Sequence, residues 1–198
     1  MRFKKILQIG CGGIGSYFID WVCRCIDMKQ IEPLTEITIA DHDMVELRQI
    51  RYQNFGLNEA GMNKAQALAR RFKDYGIKAI SRRIENESQL RGYDLIILCV
   101  DNEKTRELAV RYCHRHDKEF LDLRATGRRI FAMPKEKNPD SNLKFIDSKD
   151  TTEYSCQDRA DLEKGYIQLG NVIIALWGCQ MLLNLIRGHD NRTISMVV

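Results

Sequence analysis

Six residues near the amino terminus, Gly10-Cys11-Gly12-Gly13-Ile14-Gly15, constrain this chain more than any others. They come after Lys5 to Ile9 (KILQI), a short apolar run that reads as a buried first strand. They precede Ile14 to Ile26, where Ile14, Phe18, Trp21, Val22 and Cys25 recur at helical spacing. Gly10, Gly12 and Gly15 thus satisfy G-x-G-x-x-G between a predicted strand and a predicted helix. Glycine permits the tight turn and a close backbone approach. The helix amino terminus adds free N–H groups and positive dipole, which suits a phosphate. The same turn also serves simply to pack a helix on a strand, so its meaning depends on the residues downstream of it.

Downstream, strands and helices alternate. Glu36 to Ala40 (EITIA) is a β-branched strand with Asp41 directly after it, and Val45 to Phe55 reads as a loop with a short helical turn. Asn63 to Phe72 is an amphipathic helix with Ala65, Leu68, Ala69 and Phe72 on one face. Ile77 to Arg83 is a third strand. Asp94 to Val100 (DLIILCV) has the continuous apolar character of a central strand covered on both faces. Asp101 is expected to cap a helix from Lys104 to His114. Short strands are expected at Phe120 to Leu123 and Ile130 to Met133. Pro134 to Gly165 reads as a polar loop, and Ile167 to Arg187 as a long helix stopped by Gly188. The pattern predicts an α/β fold, a Rossmann-like, mostly parallel sheet with helices on both faces. Its long C-terminal helix comes after a crossover loop. The expected organisation is one domain over 1–198, with a core at 1–134 and the crossover loop and last helix at 135–198.

Composition excludes some partners. Thirty-one basic against 27 acidic residues leave +4, too small and too scattered an excess to indicate nucleic acid. The only apolar stretch near membrane length, Ile167 to Ile186, is interrupted by Gln168, Asn171, Gln180 and Asn184, so a buried helix is expected and no membrane span. Seven cysteines, an odd number with no signal peptide ahead of them, read as reduced thiols in a cytoplasmic protein. No C-x-x-C pair occurs, so no zinc is expected.

Asp41 ends the second strand, where a carboxylate can accept hydrogen bonds from a ribose hydroxyl. At this point NAD and ATP fit equally. Four further features favour ATP: Asp43 two positions on, the segment Val45 to Phe55 (VELRQIRYQNF), Lys64 at the start of a helix, and Asp101-Asn102 after the strongest strand. With Gly13 beside Gly12, this set resembles the ThiF/MoeB family, the bacterial relatives of ubiquitin-activating enzymes. The matching residues are the glycine turn, Asp41, Asp43, Val45, Gln53, Lys64, Asp101 and Asn102, in order and at compatible intervals over about residues 5 to 135.

The resemblance implies an enzyme that uses ATP to adenylate a carboxylate. Its substrate would be the C-terminal glycine of a ubiquitin-like or sulfur-carrier protein. The nucleotide site it implies comprises Gly10, Gly12, Gly13, Gly15, Asp41 at the ribose, Asp43, Arg48, Gln53, Lys64, Asp101 and Asn102. Asp101 would hold Mg²⁺, an ion that prefers carboxylate oxygens. Lys64 and Arg51 are the expected cations for the charge that builds on phosphate in the transition state. Gln49 stands where the family has Asn and Tyr52 where it has Arg, so Arg48 and Arg51 are the candidates to supply a guanidinium. Cys156, in Tyr154-Ser155-Cys156-Gln157, is the candidate thiol for thioester or persulfide transfer. A homodimer is expected, as in the family. Two other readings stay open: an NAD-dependent oxidoreductase, which shares the turn and Asp41, and a non-catalytic nucleotide-binding scaffold of the same family.

Overall fold

The structure is a computed structural model that describes residues 3–32, 35–147 and 157–198. Its strands are β1 (Lys5–Ile9), β2 (Glu36–Ala40), β3 (Lys78–Ile80), β4 (Leu95–Leu98), β5 (Glu119–Thr126), β6 (Arg129–Pro134) and β7 (Ile194–Val197). They form one sheet in the order β3-β2-β1-β4-β5-β6-β7. The pairs from β3 to β5 are parallel, whereas β6 and β7 run antiparallel. Ile9 at the end of β1 is level with Ala40 of β2 and Leu98 of β4. The chain leaves β1 toward β2 on one side and later returns to β4 on the other. That reversal of strand order opens a crevice at the carboxyl ends of the three strands, the usual ligand position in such sheets.

Six helices flank the sheet among the described residues: α1 (Gly15–Asp27), α2 (Lys64–Arg71), α3 (Glu103–Arg115), α4 (Pro139–Asp147), α5 (Arg159–Glu163) and α6 (Gly170–Arg187). Successive strand side chains point to opposite faces, so β4 feeds two cores. Leu95 and Ile97 join Phe18 and Ile19 of α1, Leu68 of α2, and Ile174 and Leu182 of α6. Ile96 and Leu98 join Ala109, Val110 and Cys113 of α3 and Ile146 of α4. All four β4 side chains are fully buried, each worth about 2 kcal/mol of transfer free energy. The apolar run thus reads as expected of a strand covered twice.

The expected sheet and long last helix are present, with four differences. Asn102, not Asp101, caps α3: its side chain accepts from Thr105 N at 3.1 Å, which leaves the Asp101 carboxylate out of the cap. The third strand spans Lys78–Ile80 only, and 81–83 lie outside it. The stretch expected as loop at 134–165 carries α4 and α5; Asp158 caps α5 by accepting from Ala160 N and Asp161 N. β7 has no counterpart in the sequence pattern, because its short segment pairs only through β6. The last helix begins at Gly170 and ends on Gly188, whose φ of 75° suits the left-handed cap. By length and composition α6 could cross a membrane, but ten of its residues, Asn171 among them, are buried in the protein.

Candidate functional site

A cavity of about 210 Å³ lies in the crevice. The glycine turn forms one wall. Gly10 adopts φ +95°, and a Cβ there would lie 2.3 Å from Cys99 O; a Cβ on Gly15 would lie 2.0 Å from Gly10 O. These two glycines are therefore demanded by packing. Gly10, Gly12 and Gly13 line the cavity, while Gly15 lies behind it in the first turn of α1. A Cβ on Gly12 would meet nothing nearer than Gln53 Nε2 at 3.9 Å, so the backbone there faces open space.

Buried polar side chains hold this wall. Gln8, the single polar residue in the apolar part of β1, donates to Gly10 O at 2.8 Å and Gly15 O at 3.0 Å. Ser16 donates to Gly12 O and accepts from Asn54 N. Asn171 of α6 donates to Gly13 O at 3.0 Å and Tyr52 O at 2.7 Å. The turn, the 49–54 segment and the last helix are thus pinned to one another. Polar residues inside apolar runs are the available signal for Gln8 and Asn171, since a buried amide must find partners.

Asp41 comes directly after β2 and accepts two backbone hydrogen bonds, from Cys11 N at 2.7 Å and Asp43 N at 2.8 Å. Burial raises its carboxyl above the ordinary aspartate value, opposed by those N–H groups and by Lys64. Lys64 opens α2 and is buried; its Nζ lies 3.1 Å from Asp43 Oδ2. Burial and the neighbouring Asp41 push the Cys11 thiol up, so the cysteine inside the motif is a packed thiol. Asp101 lines the cavity at the end of β4, exposed, with no hydrogen bond or ion pair among the described residues. Asn102 lines it too, with its side-chain oxygen committed to the helix cap.

The two arginines expected at the phosphates require correction. Neither Arg48 nor Arg51 lines the cavity. Arg48 is exposed and pairs with Glu46 at 2.5 Å, and Arg51 donates outward to Gly165 O at 3.5 Å. The cause is the winding of this segment. Leu47–Gln49 is a 3-10 turn, continued by Tyr52 N donating to Gln49 O at 3.0 Å. Residues three apart then share a side: Gln49 and Tyr52 face the cavity, and Arg48 and Arg51 face away. Gln53 lines the cavity beside them. The cationic side chains that do line it are Lys64, Arg82, Arg83 and Arg124. Cys156 lies outside the described residues.

Arg124 belongs to a buried charge network. Asp122 on β5 accepts from Arg124 Nε at 2.9 Å and Nη2 at 2.7 Å, and from Arg106 Nε at 3.1 Å. Arg106 of α3 also donates to Val100 O and to Glu103. It thereby holds the strand-to-helix turn that carries Asp101.

As to metals, Asp41, His42 and Asp43 bring three ligand-type atoms within 4.8 Å of one another. Both Asp41 oxygens already accept backbone N–H groups, and Asp43 is neutralised by Lys64. Asp101 is the carboxylate left uncommitted, a donor of the kind Mg²⁺ takes when it bridges to phosphate.

Known proteins resemble the chain in sequence and in fold. In sequence the chain is 23% identical over 175 residues to ubiquitin-like modifier-activating enzyme 5 of Drosophila willistoni, covering 79% of this chain and 39% of that protein. It is 26% identical over 136 residues to tRNA threonylcarbamoyladenosine dehydratase of Haemophilus influenzae, covering 64% of this chain and 49% of that protein. The chain thus spans less than half the length of these relatives. In structure it resembles E. coli MccB with AMPCPP and MccA, at a TM-score of 0.72 and 16% identity over 98% of this chain and 60% of that one. MccB with ATP gives a TM-score of 0.71 at the same coverage. These likenesses show the fold. The description of the ThiF family matches residues 1–197, and the chain belongs to that family.

Proposed function

We propose that this chain binds ATP in the cavity and adenylates a carboxylate, the C-terminal glycine of a ubiquitin-like or sulfur-carrier protein. The observation that carries this reading is the composition of one cavity. It combines an open glycine wall, the Asp41 carboxylate, the buried Lys64 paired with the exposed Asp43, and the uncommitted Asp101. An NAD site would use the first two and has no task for the others. The relatives support it: one is a ubiquitin-like modifier-activating enzyme, and the structural neighbours hold ATP, AMPCPP or the peptide MccA.

In the reaction, a carboxylate oxygen of the substrate attacks the α-phosphorus. The new C–O–P bond forms as the bond to the pyrophosphate oxygen breaks, and the electron pair leaves with pyrophosphate. The glycine wall and the α1 amino terminus cradle the phosphates. Lys64 opposes the growing negative charge. Asp41 receives the ribose hydroxyls. Mg²⁺, which neutralises phosphate charge when bound, would be held by Asp101. Cys156 is the proposed acceptor for a subsequent thioester step, its thiolate attacking the acyl carbon and AMP leaving. A homodimer belongs to the same proposal: Leu169, Leu176 and Trp177 leave apolar surface exposed at α6, and sedimentation as a monomer at micromolar concentration would remove it.

The test is ATP–pyrophosphate exchange with candidate carrier proteins. Exchange that depends on a carrier and is abolished by Asp101→Ala supports the reading. Exchange retained in that variant removes the metal role. One observation favours a second reading: Arg48 and Arg51 lie outside the cavity, so a scaffold that binds nucleotide without turnover also fits. ATP binding with no exchange in the presence of the true partner would establish it.

A further inference from the structure

We infer that Arg82 and Arg83 form a guanidinium clamp for the nucleobase, with Arg82 stacking on its face and Arg83 fixing the loop that presents it. The inference rests on the proposed ATP site and adds residues that no family motif names. Direction comes from the sheet. Phosphates belong at the glycine turn on β1 and the ribose at Asp41 after β2, so the base continues toward β3, the next strand and the sheet edge. Arg82 and Arg83 come after β3 and line that end of the cavity.

Other tasks fit these residues less well. Strands are spaced by ~4.8 Å, which puts the end of β3 about 10 Å from the turn, at the limit of an arginine's reach, so the pair stands nearer to a base than to the α-phosphate. A phosphate on the ribose would have to lie beside Asp41, a carboxylate. A merely solvated pair would not need a braced loop, yet this loop is braced. Gln89 donates to Arg83 O at 3.0 Å and accepts from Glu85 N at 2.8 Å and Asn86 N at 3.1 Å. Arg83 Nη2 donates to His42 Nε2 at 2.6 Å, which ties β3's end to β2's. Arg82 is exposed and has no hydrogen bond or ion pair among the described residues, so its planar group is available. Buried Ala40 and Ile84 supply apolar surface to the same cavity, and Thr105 Oγ1 holds Ile84 O at 3.2 Å. An apolar surface with a planar, weakly hydrated cation nearby takes an aromatic ring.

Stacking reads a π face and not an edge, so it needs planarity at position 82 and only secondarily charge. The test is calorimetric binding of ATP, GTP and inorganic tripolyphosphate to the whole chain and to Arg82→Ala, Arg82→Lys and Arg82→Tyr. The expected result is that Arg82→Ala weakens ATP and GTP by the same factor, about three- to thirtyfold. Lysine fails to restore it, tyrosine restores most of it, and tripolyphosphate is unaffected throughout. Weakened tripolyphosphate binding restored by lysine would make the pair an anion subsite and overturn the clamp. ATP affinity within twofold of the unmodified chain in Arg82→Ala would also overturn it. A failure of the unmodified chain to bind ATP at all would instead overturn the functional reading beneath it.

Discussion

Asp122→Ala tests whether the buried charge network holds the site together. Asp122, Arg106 and Arg124 are all almost wholly buried, and the carboxylate accepts three hydrogen bonds from the two guanidinium groups. At an effective dielectric of ~20, two unit charges about 3 Å apart attract by ~5 kcal/mol. Desolvation of the carboxylate takes back much of that, but the substitution does not recover it, because both arginines stay buried. Glu103 remains near them, 2.5 Å from Arg106 and 4.0 Å from Arg124, and it is half exposed. Among the described residues, one partly solvated acid then faces two buried cations. Breaking a buried ion pair from one side costs about 3–5 kcal/mol. For a chain of this length that is a fall in melting temperature of ~10 °C or more. Urea unfolding followed by circular dichroism measures it. A change within about 1 kcal/mol would refute the reasoning, since the network would then be no more than a set of solvated contacts. A control separates charge from packing: replacing Asp122, Arg106 and Arg124 together by apolar residues of similar size should recover much of the loss, because no buried charge is left unpaired.

The site itself gives two further expected outcomes. Because burial raises the Asp41 carboxyl, and the ribose needs the ionised form, ATP affinity should hold at neutral pH. It should decline as pH falls through that raised value, starting at a higher pH than an ordinary aspartate would set. Asp41→Asn should give weak, pH-independent binding, and a slope retained in that variant would show another group to be responsible. Asn171→Ala removes three hydrogen bonds, those donated to Gly13 O and Tyr52 O and the one accepted from Gln157 Nε2. A loss of about 2 kcal/mol in stability is expected, with ATP binding weakened through the loosened turn. Unchanged affinity and unfolding midpoint would show that α6 does not position the site.

The residues legible from sequence share one property: each sits at the end of a strand or the start of a helix, where its position is set by its own few neighbours. Gly15 is required by packing on Gly10, Asp41 comes directly after β2 and Asp101 three residues after β4, and Lys64 opens a helix capped by Asn63. The cap of α3 is misplaced by one residue when read from sequence, because aspartate and asparagine serve that position equally well. Only the backbone turn decides which side chain reaches Thr105 N. Arg48 and Arg51 are misplaced for a related reason. Their nearness in sequence to Gln49 and Gln53 carries no information about side until the winding of the segment is known.

The remaining cations of the cavity cannot be found that way. Arg82 and Arg83 reach it only because β3 lies beside β2, and Arg124 only because β5 lies beside β4. Strand order is a property of the whole sheet, set by how the two cores close over β1 and β4. This has a chemical consequence. The motif residues form the middle of the cavity, at β2, β1 and β4, where the phosphates and ribose of any nucleotide would lie. The residues without a motif stand at its two ends, at β3 and β5. Phosphates and ribose fall on the former, and the base and the incoming carboxylate fall on the latter. What this cavity can hold beyond phosphate and ribose is therefore to be sought at Arg82, Arg83 and Arg124, and not in the glycine turn.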